Sequence, residues 1–230
     1  EILQHTDDIE AAFHRIQYHP DLGICFAYVF MEFLIVPIGT IFGAGDSPGW
    51  FGLTAEARTH LGNVKDYAAT ELPLADEVVL PAPPTDVEIA SFAPAVADSS
   101  HQGIPPALRD RHWHSMFVDD KATADTLSRM RSAIRSGVGS AYENYGHPDH
   151  DRRGPVLPRD KFSMLAAVRT THLGMLIDTR LLAVAWPLDK LRRMRSILDD
   201  WVLTPRDRTA HEAASLLGLA RHGAPLSNIG

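Results

Sequence analysis

A short run with apolar residues at its core, Trp113-His114-Ser115-Met116-Phe117-Val118, ends in two adjacent carboxylates, Asp119-Asp120, and this limits how the chain can fold. A strand of that kind must reach the rim of a sheet where its charges begin, because unpaired carboxylates are too costly to bury. A second acid pair stands at another strand-to-helix junction, in Asp7-Asp8-Ile9-Glu10-Ala11-Ala12-Phe13. Two such strands side by side bring carboxylates to one rim, and crowded carboxylates need a cation to remain ionised. A pair of divalent cations held in this way runs phosphoryl transfer by stabilising both the attacking and the leaving oxygen. The third pair, Asp199-Asp200, falls within an amphipathic helix and reads as surface.

With 230 residues the chain can build one large core or two modest ones. Its 45% apolar and 22% charged residues are ordinary for a globular protein. The longest apolar stretch, residues 24–38, is interrupted by Glu32 and is too short for a membrane span. Glu1-Ile2-Leu3 carries neither an initiator Met nor a basic-then-apolar leader, so the sequence reads as a piece of something longer. The lone Cys25 rules out an internal disulfide framework and suits a reducing compartment, cytoplasmic or nuclear; its apolar neighbours predict a core position.

The formal charge of −7 is unevenly distributed. Residues 1–149 hold 21 acidic against 9 basic side chains, and residues 150–230 hold 8 against 13. A carboxylate-rich region followed by a basic one fits metal chemistry beside a grip on phosphates, and equally fits two ordinary surfaces.

Short elements follow one another along the chain. Residues 11–17 predict a turn or two of helix, closed by His19-Pro20. Residues 24–30 and 33–38 predict a buried hairpin turning at Met31-Glu32. The glycine-rich residues 39–45 read as a loop, and Asp46 or Ser47 caps a helix with Pro48 at its first position. That helix runs through Trp50, Phe51, Leu53 and Ala57 to about Leu61. Residues 72–112, broken by prolines, predict a long exposed insertion that is partly irregular. From 122 to 145, Leu127, Met130, Ile134, Val138 and Ala141 recur at helical spacing. Residues 164–168 and 172–177 read as strands, and residues 180–186 as the return of a second hairpin. Pro187 opens a helix with Leu188, Leu191, Met194, Leu198, Trp201 and Val202 on one stripe, and a last helix covers about 206–222.

Five segments, in order, resemble the motifs of reverse transcriptases. Asp8-Ile9-Glu10-Ala11-Ala12-Phe13 is similar to the first catalytic motif, an Asp followed by an Ala-aromatic pair. Phe42-Gly43-Ala44-Gly45-Asp46-Ser47-Pro48 looks like the second, and Phe117-Val118-Asp119-Asp120 like the aromatic-x-Asp-Asp signature. Asp160-Lys161-Phe162 resembles the lysine-bearing segment, and His172-Leu173-Gly174-Met175 the Leu-Gly hairpin that grips the primer end. Ala183-Val184-Ala185-Trp186-Pro187 and Leu188-Asp189-Lys190 are similar to segments that precede the thumb in eukaryotic retrotransposon polymerases. The resemblance covers residues 7–48 and 113–223.

That resemblance implies an α+β fold: a palm of antiparallel sheet with helices on one face over residues 1–186, then thumb or connection helices over 187–230. It implies RNA-directed DNA polymerisation within a retrotransposon polyprotein, with RNA or DNA template-primer and deoxynucleoside triphosphates as partners. Two Mg²⁺ ions, replaceable by Mn²⁺, would be held by Asp8 and Asp119, supported by Asp120 and by the main-chain oxygen of Ile9. Phe13 would exclude a ribose 2′-hydroxyl, although a core Phe on a short helix reads as well from periodicity. Gly43 and Pro48 would shape the template and nucleotide floor. Lys161 would neutralise or protonate pyrophosphate, or simply solvate a surface. Leu173 and Gly174 would hold the primer, and Arg192, Arg193 and Arg195 duplex phosphates, against the simpler reading of a solvated face.

The sequence departs from the family pattern in its long insertion and in lacking the basic fingers residues, the ribonuclease H and the integrase or recombinase regions of such polyproteins. A non-catalytic polymerase-like remnant, with or without nucleic-acid binding, is the alternative; an unrelated acidic-loop protein would keep Asp8 and Asp119 apart. His147-Pro148-Asp149-His150-Asp151 and the His112/His114 pair lack the partners and spacing of a zinc site. No glycine-lysine phosphate loop occurs.

Overall fold

The computed structural model describes residues 1–17, 25, 27–37, 47–67, 72–83, 85, 112–117, 119–147, 156–181, 183–204 and 206–227. It is a mixed α and antiparallel β structure that divides into two compact units at residues 168/169. Residues 169–186 belong to the same unit as the helices that follow them.

The first unit is built on a three-stranded sheet in the order β1-β5-β4, where β1 is Ile2–Asp8, β4 is Trp113–Phe117 and β5 is Asp120–Thr126. The sheet does not end at β1. The main chain of Gln4 exchanges hydrogen bonds with Ala167 (2.8 and 2.9 Å), and Ser163 N–H donates to the Thr6 carbonyl at 3.0 Å. Residues 162–167 therefore occupy the edge of β1 as bridges rather than as the full strand expected there.

Strand periodicity splits the sheet into two faces. Leu3, His5 and Asp7 pair in register with Asp125, Thr123 and Lys121, and this layer is covered by helices. α2 (Ser47–Val64) and α4 (Met130–Tyr145) supply that cover; α1 (Ala12–Arg15) is a single turn, and α3 (Pro73–Asp76) is another. Met130, Ile134, Val138 and Ala141 are all buried on α4, as their spacing predicts. The helix begins eight residues later than residue 122, because 120–126 form β5. On α2, Phe51, Ala55 and Arg58 are buried along one face of the helix, whereas Leu53 is exposed.

Two further expectations change. Leu72, Ala75 and Val78 lie in the core, so the start of the proline-rich stretch is not an exposed insertion. Val79 even pairs with the chain near Leu165, accepting from Ala166 N–H at 3.0 Å. Residues 86–111 lie outside the described residues. The hairpin of β2 (Tyr28–Phe30) and β3 (Phe33–Ile35) turns where predicted, with Met31 and Glu32 at φ of 52° and 75°, but its side chains are exposed, and Cys25 is exposed as well. These residues pack mainly on each other, so apolar composition alone does not bury them.

α4 carries two glycines that make room for large neighbours. A Cβ on Gly139 would stand 2.3 Å from the Tyr67 ring, and one on Gly137 would stand 2.2 Å from Lys121 Nζ. Gly139→Ala is expected to destabilise the protein by about 2 kcal/mol, the overpacking outweighing the roughly 1 kcal/mol by which Ala favours a helix. The midpoint of urea unfolding reads this directly; an unchanged or raised midpoint would place Tyr67 elsewhere.

In the second unit, β6 (Arg169–His172), β7 (Met175–Asp178) and β8 (Ala183–Ala185) form an antiparallel sheet in sequence order. The expected strand over 172–177 contains a turn instead: Leu173 and Gly174 have φ of 50° and 70°, the left-handed pair that a two-residue hairpin needs. α5 (Leu188–Leu203) starts after Pro187 as predicted, and α6 (Ala210–Ser227) begins four residues later than its expected start. Thr209 and Glu212 cap α6 reciprocally, Glu212 N–H donating to Thr209 Oγ1 and Thr209 N–H to Glu212 Oε2. The apolar stripe of α5 is left uncovered, with Leu188, Leu191, Leu198 and Val202 exposed.

Candidate active site

Asp8 is the last residue of β1, and Asp120 is the first of β5 and its register partner. Asp119 sits in the turn that joins β4 to β5, and its carbonyl accepts the Ile9 N–H at 3.3 Å. The fold therefore brings Asp8, Asp119 and Asp120 to one rim of the sheet. Asp7, adjacent to Asp8 in sequence, points to the opposite face because successive strand residues alternate. Lys161 arrives through the bridge that pairs Phe162 with Asp7. Phe162 is buried against the His5 ring, centroids 4.6 Å apart, which anchors the segment. Lys161 Nζ then lies 3.3 Å from Asp8 Oδ2 and 2.9 Å from Glu10 Oε2.

The electrostatics follow from this crowding. Burial, and then the nearby Asp119, push the Asp8 carboxyl above its ordinary range; Asp120 adds to this, and Lys161 opposes it. The hydrogen bond to Glu10, helped by the charge of Asp8, raises the Lys161 ammonium above its usual value. Asp8 Oδ1 is buried and has no hydrogen-bond partner. A divalent cation is the group that such an atom and such a cluster fit. Among the described residues, no three His, Cys, Asp or Glu side chains form a ready-made metal cage. Mg²⁺ rarely uses one; it takes one or two carboxylates and completes its shell with substrate phosphates and water.

Under the rim lies a second cluster that hydrophobic periodicity does not reveal. Arg58 Nη2 donates to Asp7 Oδ1 at 2.6 Å and to the Gly137 carbonyl at 3.3 Å. Lys121 Nζ is 3.6 Å from Asp7 Oδ2 and donates to Thr123 Oγ1 at 2.9 Å. Burial alone would raise Asp7, but Arg58 and Lys121 overcome it and hold the carboxyl below its usual range. Burial lowers Lys121 to about 7 and His5 to about 4, and holds His114 well below an ordinary histidine. His112 bonds Asp125 Oδ2 through Nδ1 at 2.8 Å, and His114 bonds Thr123 through Nδ1. Both histidines are thus part of the packing under the sheet. The only sequence signal for this layer was charge inside an apolar pattern: Asp7 before Asp8, and Lys121 after Asp120.

The other expected site residues lie on separate elements. Ile9 is buried, and its N–H is spent on Asp119. Phe13 lies on α1 and Pro48 in the first turn of α2; Gly43 lies outside the described residues, as do Asp149, His150 and Asp151. Leu173 and Gly174 form the β6–β7 turn in the second unit, where Lys190 Nζ donates to the Gly174 carbonyl at 3.1 Å. Arg192, Arg193 and Arg195 are exposed on α5.

The class of fold is clear from known structures. The chain superposes on the foamy viral protease-reverse transcriptase in complex with dsDNA, with a TM-score of 0.53 at 15% identity over 95% of this chain and 32% of that one. The same viral enzyme designated dRH, in complex with ds DNA, gives a TM-score of 0.55 at 15% identity over 96% and 27%. Its complex with RNA/DNA hybrid gives 0.53 at 14% identity over 96% and 21%. The fold is reverse-transcriptase-like, and the chain spans a third or less of the length of these neighbours. No family model and no curated protein sequence matches it. Among the described residues no helix is long and apolar enough to cross a membrane.

Proposed function

We propose that this chain is the palm and the start of the thumb of an RNA-directed DNA polymerase encoded by a retrotransposon. The observation that carries the proposal is the convergence of Asp8, Asp119 and Asp120 on one sheet rim, with a buried, unpartnered Asp8 oxygen. Asp8 and Asp119 would hold two Mg²⁺ ions, or Mn²⁺, with Asp120 and the Ile9 main chain in support. Bound there, the ions would stabilise charge on the attacking and leaving oxygens of nucleotidyl transfer. Lys161, which pairs with Asp8 and Glu10, would neutralise a leaving pyrophosphate. Phe13 would select deoxynucleotides, and Gly43 and Pro48 would form the nucleotide floor. In the second unit, Leu173 and Gly174 would contact the primer, while Arg192, Arg193 and Arg195 carry the charge that suits duplex phosphates. Fingers, ribonuclease H and integrase or recombinase regions would complete the parent polyprotein.

The test is primer extension by the full-length protein on an RNA template with deoxynucleotides. Extension is expected with Mg²⁺, lost on chelation and regained when Mg²⁺ or Mn²⁺ is returned. Template-primer binding with no extension under any divalent cation would support the non-catalytic remnant instead.

A further inference from the structure

We propose that the buried Arg58–Asp7–Lys121 cluster is a positioning device that fixes the direction of the acids at the sheet rim; the inference rests on the polymerase reading above. Asp7 pairs in register with Lys121, and the next rung pairs Asp8 with Asp120. The cluster and the acids are thus consecutive rungs on opposite faces. β1 ends and β5 begins at that second rung, where Asp120 also pairs with Phe117 of β4 and Ile9 N–H bonds the Asp119 carbonyl.

Arg58 adds a side-chain tie one rung earlier. Its guanidinium comes from α2, grips the Asp7 carboxylate of β1 and reaches the Gly137 carbonyl of α4. Lys121 of β5 closes on the other Asp7 oxygen. Two elements, α2 and β5, therefore grip one carboxylate of β1, and the same guanidinium ties in α4. The side chains of Arg58, Asp7 and Lys121 are 0%, 2% and 0% exposed. Gly137 leaves the space that the Lys121 ammonium fills.

A buried ion cluster is seldom the most stabilising way to fill such a space, since apolar groups of similar volume often do as well or better. Its distinct property is direction. Charge-assisted hydrogen bonds set the orientation of the Asp7 peptide, and that peptide carries Asp8; apolar contacts leave it freer to rotate. An error of about 1 Å at a reacting centre costs on the order of 100-fold in rate, so orientation is worth holding.

The experiment uses the full-length protein, with Mn²⁺ affinity by electron paramagnetic resonance, thermal unfolding and template-primer affinity as readouts. Three proteins are compared with wild type: Asp119→Asn, Arg58→Lys, and the apolar triple variant Asp7→Leu/Arg58→Met/Lys121→Met. The triple variant is expected to melt at or above the wild-type temperature and to bind template-primer equally, yet to bind Mn²⁺ about 10-fold more weakly. Arg58→Lys keeps the charge but loses the planar nitrogen that bonds both Asp7 and the Gly137 carbonyl, and a several-fold loss of Mn²⁺ affinity is expected at near-native stability. Mn²⁺ affinity within twofold of wild type in the triple variant, or in Arg58→Lys where the triple variant does not fold, overturns the clamp, provided Asp119→Asn weakens binding. If Asp119→Asn leaves Mn²⁺ binding unchanged, the metal reading of the rim fails, and the clamp loses its object.

Discussion

Asp8→Asn and Asp119→Asn are each expected to reduce primer extension by the full-length protein at least 1000-fold, with template-primer affinity within a few-fold of wild type. Asp8 ends β1 and Asp119 lies in the β4–β5 turn, yet the fold places them at one rim, through the Asp8↔Asp120 pairing and the Ile9 bond to Asp119. Amidation leaves size and shape nearly unchanged and removes only the charge. Folding should not suffer, because Asp8 carries a raised proton affinity from burial and from its acidic neighbours. Removing one acid relieves repulsion, so both variants should be at least as stable as wild type to urea. Loss of activity with gained stability is the signature of a site held together against its own charges. Asp120→Asn should cost less, since that residue is proposed only to support the others. Activity surviving Asp8→Asn would detach the rim from the chemistry.

Acid should unfold the first unit well before its surface carboxylates are protonated. His5 is buried, with its Nε2 bonded to the Ser163 carbonyl at 2.8 Å, and burial, partly offset by Asp7, lowers its pKa to about 4. His114 is lowered as well, again chiefly by burial. In both cases the unfolded chain binds a proton that the folded chain refuses. Stability is therefore fully present above about pH 6.5 and is lost as pH falls toward the folded value. For His5 alone the loss between pH 6.5 and 4 is about 3 kcal/mol, a large share of a typical domain's stability. Urea unfolding at pH 7, 5.5 and 4.5 measures it. His5→Gln keeps a donor for Ser163 without the titration, and should flatten the curve. A wild-type midpoint that stays level down to pH 4.5 would mean that His5 is not held neutral in the core.

The acidic rim of the sheet is legible in the sequence because it breaks the apolar pattern abruptly. Phe117-Val118-Asp119-Asp120 is readable as a strand ending in charge, and the structure turns there. β5 was not, because its inward residues are Lys121, Thr123 and Asp125; a strand with a polar inner face offers no apolar alternation to find. Leu127 also stands three residues before Met130, and so extended the helical pattern backward over it. The same polar layer meets α2, whose buried face runs through Arg58 to Asp7. In the 72–83 segment, the threefold spacing of Leu72, Ala75 and Val78 was hidden by surrounding prolines. Hydrophobic periodicity cannot predict a buried arginine, because the signal lies in the partner's charge and that partner is 51 residues away in the chain.

Anomalous diffraction from Mn²⁺ in crystals of the full-length protein with template-primer and a non-hydrolysable deoxynucleotide tests the central assignment most directly. The account predicts two peaks at the sheet rim, each about 2 Å from carboxylate oxygens of Asp8 or Asp119. Bound nucleotide with no Mn²⁺ peak at either residue would contradict it.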